Sequence, residues 1–251
     1  MQAPRSVRIR HWPYSDAMRC DVVRFVAFED LGVWEAELIA HGFDVRYLDV
    51  GVHDVTEAAD ADLAVVLGAP IDADDDARYP VLAAVRGALA ARVEQDRPTL
   101  AICLGAQILA QVVGGTVQRG TREIGWAPLT PQPAAAASAW RELSAAPVLH
   151  WHADEVELPA GAYVGLASTA ATRHQIFEVG RSVGFQCHPE ADPEMIERWL
   201  IGHTGDLSRW GVDINAVRAQ GREFGDAAVA AGLTGLRRWL RQVDLVAGRS
   251  L

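Results

Sequence analysis

From residue 21 onward the chain alternates short apolar runs with longer amphipathic segments. Val22-Val23-Arg24-Phe25-Val26-Ala27-Phe28 reads as a buried strand. The next segment sets Trp34, Leu38 and Ile39 at helical spacing and stops at Gly42. Strands follow over residues 44–50 and 63–67, the latter closing on Gly68-Ala69-Pro70. Residues 79–94 place Val81, Leu82, Val85, Leu89 and Val93 on one helical stripe. A fourth strand over residues 98–102 runs into Cys103-Leu104-Gly105 and a helix over 106–113. Strands and helices in strict alternation predict a parallel sheet covered on both faces.

After Gly114-Gly115 the pattern changes to short β-like pieces, at residues 116–118, 124–129, 148–151, 163–167, 175–179 and 182–187. Residues 131–146, with four consecutive alanines, read as a loop or weak helix. Helices return from Asp192, and Leu233, Leu236, Leu240 and Val243 give the last of them an apolar stripe. The expected organisation is a leader or mis-set start over 1–17, one domain over 18–201, and a helical extension over 202–251 packed on that domain.

Composition narrows the chemistry. All 23 basic residues among the 251 are arginine, so Schiff-base chemistry, a pyridoxal-phosphate anchor and a P-loop lysine are excluded. A net charge of −10 argues against a nucleic acid or an anionic membrane as partner. The three cysteines, Cys20, Cys103 and Cys187, form no C-x-x-C pair, which fits a reducing compartment and a cytoplasmic protein. No apolar stretch reaches the length of a transmembrane helix.

Cys103 sits where an apolar strand turns into a helix, at the carboxyl edge of the expected sheet. There the helix N-terminus favours thiolate and offers a backbone N–H to an oxyanion. The same pattern also suits a cysteine that merely packs. His188 and Glu190 end another strand, and period-two geometry sends both to one side. The carboxylate can then hold one ring nitrogen and leave the other as a base, or the pair can be a plain strand-end hydrogen bond. Cys187 points to the opposite face, into the core.

Together these residues resemble a known family. Ile102-Cys103-Leu104-Gly105-Ala106-Gln107 is similar to the G-x-C-x-G-x-Q nucleophile segment of class I glutamine amidotransferases. His188-Pro189-Glu190 resembles their H-P-E end, and Leu67-Gly68-Ala69-Pro70 their oxyanion loop. Glu123-Ile124-Gly125-Trp126 and His150-Trp151-His152-Ala153-Asp154 resemble stretches of stand-alone members related to the glutaminase domain of GMP synthetase. The resemblance implies a flavodoxin-like three-layer α/β sandwich with a central, mostly parallel sheet plus the C-terminal helical extension.

It also implies roles. Cys103 would attack the side-chain amide of L-glutamine, His188 would move the proton, and Glu190 would orient His188. The backbone of Leu104 and of Gly68 or Ala69 would hold the oxyanion, and Gln107 would bind the glutamine. Glu123 would contact substrate or only stabilise its turn. No metal or organic cofactor is implied, and ammonia would pass to a separate ATP-dependent synthetase subunit. The alternatives are a stand-alone γ-glutamyl hydrolase or peptidase using the same triad, and a non-catalytic binding or regulatory module of the same fold.

Two positions depart from the family pattern: Ala101 and Ala69 stand where glycine is usual, and a methyl at either would crowd its turn. The alternation His150-x-His152-x-Asp154 could ligate a metal, but two histidines flanking a buried tryptophan read as structural. Asp72, Asp74, Asp75 and Asp76 read as a solvated turn capping the following helix.

Overall fold

The computed structural model describes residues 17–245. The leader expected over 1–17 lies, Ala17 aside, outside them. Strands β1 (Met18–Arg24), β2 (Phe43–Asp49), β3 (Leu63–Val66) and β4 (Thr99–Ile102) come first, with helices α1 (Trp34–Ala40), α2 (Val81–Glu94) and α3 (Leu104–Val112) between and after them. Strands β5 (Thr116–Ala127), β6 (Thr130–Pro131), β7 (Val148–Glu157), β8 (Val164–Ser168), β9 (Ile176–Val179) and β10 (Ser182–Phe185) follow, then α4 (Ile196–Gly202), α5 (Thr204–Trp210) and α6 (Ile214–Gln242).

Eight strands form one sheet in the order β2-β1-β3-β4-β10-β9-β8-β6. The first five are parallel, which is the flavodoxin-like order, and β9, β8 and β6 extend the sheet antiparallel. Alternation along each strand makes two cores. Val22, Leu63, Val65, Leu100, Ile102 and Phe185 face one layer of helix, which includes Trp34 and Leu38 of α1. Val23, Ala64, Val66 and Ala101 face the other, formed by Leu82, Val85 and Leu89 of α2 and Ile108 of α3.

Helix α6 is part of the first layer. Asp213 caps it by accepting from the Asn215 and Ala216 N–H groups, and Leu236, Trp239 and Leu240 join the same cluster as Trp34 and Phe185. At Gly232 a β-carbon would fall 2.3 Å from the Pro189 carbonyl oxygen, so only glycine lets α6 lie directly behind the His188–Glu190 turn.

Some elements differ from the expected pattern, among them β7, which runs six residues past its expected end at 151. β1 lies four residues before the apolar run, because its buried Asp21 is a strand residue held by Arg46 at 2.8 Å. The pieces at 116–118 and 124–129 are one strand: its solvent-facing Arg119 to Arg122 segment breaks the alternation, and its register with β7 shifts there. The stretch 131–146, expected as a loop or weak helix, does hold two short 3-10 turns, Pro133–Ala137 and Arg141–Ala145. The aspartates before α2 do not cap it: Pro80 occupies its N-cap, while Asp76 pairs with Arg86 at 2.9 Å and Asp72 with Arg119 at 3.3 Å.

Candidate active site

Four strand ends of the parallel sheet converge at its carboxyl edge, where open α/β sheets bind ligands. Glu29 follows β1, Gly68 follows β3, Cys103 follows β4 and His188 follows β10. Cys103 has φ 51° and ψ −107°, a conformation that costs a non-glycine residue energy and turns its side chain out above the sheet. Its N–H donates to the Phe185 carbonyl at 2.7 Å, which ties the turn to β10. α3 begins at the next residue and aims its N-terminus at the thiol.

His188 stands across from the thiol. Its N–H donates to the Leu149 carbonyl at 2.8 Å, and its Nδ1 lies 2.7 Å from Glu190 Oε1. Both side chains are buried. Nε2 meets no well-aligned hydrogen-bond partner and interacts with the Cys103 thiol through a looser contact, as resting sites often do. Burial pushes the Cys103 pKa up; His188 and the Leu104 N–H pull it down, and Glu29 opposes them. Burial alone would depress His188, yet the Glu190 carboxylate and the Cys103 thiol lift it well above the ordinary histidine value. Sulfur and imidazole thus act on each other directly, each among the causes of the other's shift.

A cleft of about 770 Å³ opens over Cys103. Gln107 and Ala69 line it, as do Trp151 and His152 of β7. Gln107 is buried on α3, its Nε2 3.4 Å from Gln186 Oε1. Gly68 packs on Cys103, where an added β-carbon would come within 3.2 Å of the cysteine Cβ. Neither Ala69 nor Ala101 has positive φ, and Ala101 sits in register inside β4 opposite Gly184, so the methyl groups the sequence suggested would crowd the turns are accommodated in ordinary backbone.

Glu123 reaches the cleft only through His152. Its Oε2 accepts from Thr169 at 3.0 Å, Thr172 at 2.7 Å and Gln175 at 2.7 Å, and lies 3.5 Å from His152 Nε2. Asp154 pairs with Arg119 at 2.9 Å and does not join the histidines. Instead Glu123, His150 and His152 bring candidate ligand atoms within 4.8 Å of one another. Burial holds His150 below its usual pKa and His152 down to about 3, so both rings are neutral near pH 7. With its carboxylate already accepting three hydrogen bonds, this cluster is a hydrogen-bonded brace between β5 and the 169–175 loop. Cys187 faces the core, and burial raises its pKa far above the usual thiol value.

Two residues that no sequence spacing flagged also wall the cleft: Glu29 and His203, the latter between α4 and α5. The signal for Glu29 was its place, a lone carboxylate just past the carboxyl end of a parallel strand. His203 had none.

A strained cysteine between strand and helix, facing a buried histidine–carboxylate pair, gives an α/β protein the parts that thiol chemistry needs. Residues 35–201 match the family model described as glutamine amidotransferase class-I, and the chain belongs to that family. It is 29% identical over 196 residues to the glutamine amidotransferase-like protein YfeJ of Salmonella typhimurium, covering 74% of this chain and 81% of that one. It is 30% identical over 226 residues to the glutamine-hydrolysing GMP synthase of Christiangramia forsetii, covering 82% of this chain but 42% of that protein. The chain thus spans less than half the length of the synthase. A solved glutamine amidotransferase from Thermotoga maritima superposes with a TM-score of 0.73 at 26% identity, covering 93% of this chain and 100% of that one.

Proposed function

We propose that the protein hydrolyses the side-chain amide of glutamine, or of a related γ-glutamyl amide, through a Cys103–His188–Glu190 triad. The observation that carries this reading is the strained Cys103 held opposite a histidine whose far nitrogen is fixed by Glu190 at 2.7 Å. His188 takes the thiol proton, and sulfur adds to the γ-carbonyl carbon. The oxyanion develops toward the Leu104 N–H and the backbone of Gly68 and Ala69. His188 returns the proton to the departing nitrogen, so ammonia leaves and a γ-glutamyl thioester remains. Water, deprotonated by His188, opens the thioester to glutamate and restores the thiol. No step calls for a metal or organic cofactor.

The GMP synthase relative is named glutamine-hydrolysing and is more than twice as long as the matched region. By that analogy we infer that the ammonia serves a separate ATP-dependent synthetase subunit. A second reading, a stand-alone γ-glutamyl hydrolase, is favoured by the cleft: about 770 Å³ is the size that holds a drug-like ligand and exceeds what free glutamine fills. Either activity suits a reducing cytoplasmic setting, with all three cysteines free. Over 18–201 the chain would form the catalytic domain, with 202–245 as a helical layer completing it; residues 246–251 of the expected extension lie outside the described residues.

The test is release of ammonia and glutamate from L-glutamine by the purified protein beside its Cys103→Ser variant. Turnover that disappears in the variant supports the triad. If glutamine is not turned over, labelling of Cys103 by a glutamine-like diazo-ketone still marks a competent site. An unlabelled cysteine would leave only a binding module.

A further inference from the structure

Glu29 is a buried carboxylate, 4% exposed, at the lip of the cleft beside the thiol. A β-carbon at Gly68 would fall 2.1 Å from its Oε2, so the carboxylate lies directly against the proposed oxyanion loop. Among the described residues its ionic partner is His203, whose Nε2 is 3.3 Å from Oε1. His203 Nδ1 lies 3.0 Å from the Trp199 carbonyl and so donates to it. With Nδ1 so engaged, Nε2 is the ring nitrogen turned to the Glu29 carboxylate. A buried carboxylate calls for charged donors, and an outside cation with several N–H groups can join His203 in supplying them. The arginines of the same cleft are otherwise engaged: Arg119 with Asp154 at 2.9 Å, Arg209 with Asp206 at 3.3 Å, and Arg122 over the Trp210 ring at 4.2 Å.

The pair also has a side. The His188 ring packs edge-on against Trp199 with centroids 4.7 Å apart, and Trp199 stacks on His203 at 5.8 Å and 29°. Glu29 and His203 therefore lie on the flank from which His188 reaches the thiol, where the leaving amine takes its proton. Gln107, the residue assigned to the glutamyl portion, stands on α3.

We propose that Glu29 and His203 form a cation subsite on the leaving-group side of Cys103, and that the favoured substrate is a γ-glutamyl amide whose amine portion carries a second, positively charged amino group. This rests on the hydrolase reading of the site and names its substrate class. The cleft volume leaves room for an aliphatic diamine, and its ammonium would add N–H donors at the Glu29 carboxylate.

The test compares two ligands of one shape: the mono-γ-glutamyl amide of 1,4-diaminobutane, and γ-glutamyl n-pentylamide, which has a methyl in place of the ammonium. Binding is measured by calorimetry on the Cys103→Ser protein, which needs no turnover. A charge-assisted contact should favour the cationic amide by about tenfold or more. Adding Glu29→Gln should bring the ratio close to one. Equal binding of the two amides, tighter binding of the neutral one, or no binding of either overturns the subsite. A preference kept in the Glu29→Gln background overturns the assignment to Glu29. The comparison in the unsubstituted pocket stands even if that second variant folds poorly. Glutamate release from both amides by the wild-type protein is read separately: its failure sinks the hydrolase reading, while the binding ratio still decides the subsite.

Discussion

Nδ1 of His188 stands 2.7 Å from Oε1 of Glu190, two positions along the same turn and both almost wholly buried. The carboxylate is what lifts the imidazole above its ordinary pKa against the cost of burial. In Glu190→Gln the hydrogen bond survives in form but the charge does not. Turnover of the amide substrate should fall about 10²-fold or more. Alkylation of Cys103 by iodoacetamide should slow as well, because His188 without the carboxylate charge is a weaker base for the thiol proton. An alkylation rate that stays at the wild-type level would show that Glu190 does not act through His188.

His152 gives a pH signature in stability. Burial first, and then the neighbouring His150, hold its folded pKa down to about 3 against an ordinary 6.5. The unfolded chain therefore binds the extra proton between those two values and the folded chain does not. Stability is whole above pH 6.5 and falls as the pH drops toward 3, by about 2 kcal/mol at pH 5. His152→Asn keeps a donor near the position of Nδ1, which bonds the Asp154 carbonyl at 3.1 Å, and removes the titration. Urea denaturation at pH 7 and pH 5 should show a loss in the wild type that is smaller by about this amount in the variant. Equal losses would refute the assignment.

Arg92 is the buried clamp at the opposite edge of the sheet. It is 1% exposed, and its Nε donates to Thr99 at 2.8 Å while Nη1 donates to the Ala58 and Ala61 carbonyls at 2.9 and 2.8 Å. Nη2 bonds the Pro98 carbonyl. Burial lowers its pKa to about 10, which leaves it charged at neutral pH. Arg92→Met strands several buried carbonyl oxygens and should cost about 3 kcal/mol in urea denaturation with an unchanged m-value. Arg92→Lys should recover little of it, since an ammonium cannot span the same fork. A loss under about 1 kcal/mol for the methionine variant would mean that other donors satisfy these carbonyls.

The parallel half of the fold was legible because strands buried on both faces read as short apolar runs, and those at Leu63–Val66 and Thr99–Ile102 lie where the pattern placed them. β1 was read four residues late because its charged members are hidden by pairing: Asp21 looks like a boundary until Arg46 is beside it. β5 was read in pieces because its exposed middle follows no period. The resemblance also implied that Cys103, His188 and Glu190 would meet, since each ends or follows a strand of the same sheet edge. Glu29 and His203 escaped, because a lone acid and a lone histidine carry no spacing, and only the helix turn after α4 brings them together.

The geometry at Cys103 has an energetic consequence of its own. A side chain at φ 51° and ψ −107° pays a strain of about 1–3 kcal/mol, which a glycine would not. At an ordinary ordered position glycine is worse than alanine by about 1 kcal/mol through its unfolded-state entropy. The two terms oppose each other here, so Cys103→Gly should be at least as stable as Cys103→Ala in thermal or urea denaturation. Both lack the thiol and both should be inactive, which separates the comparison from chemistry. If the glycine variant is the weaker by about 1 kcal/mol, the turn is unstrained, and the outward presentation of the thiol must come from packing by Gly68 and α3 alone.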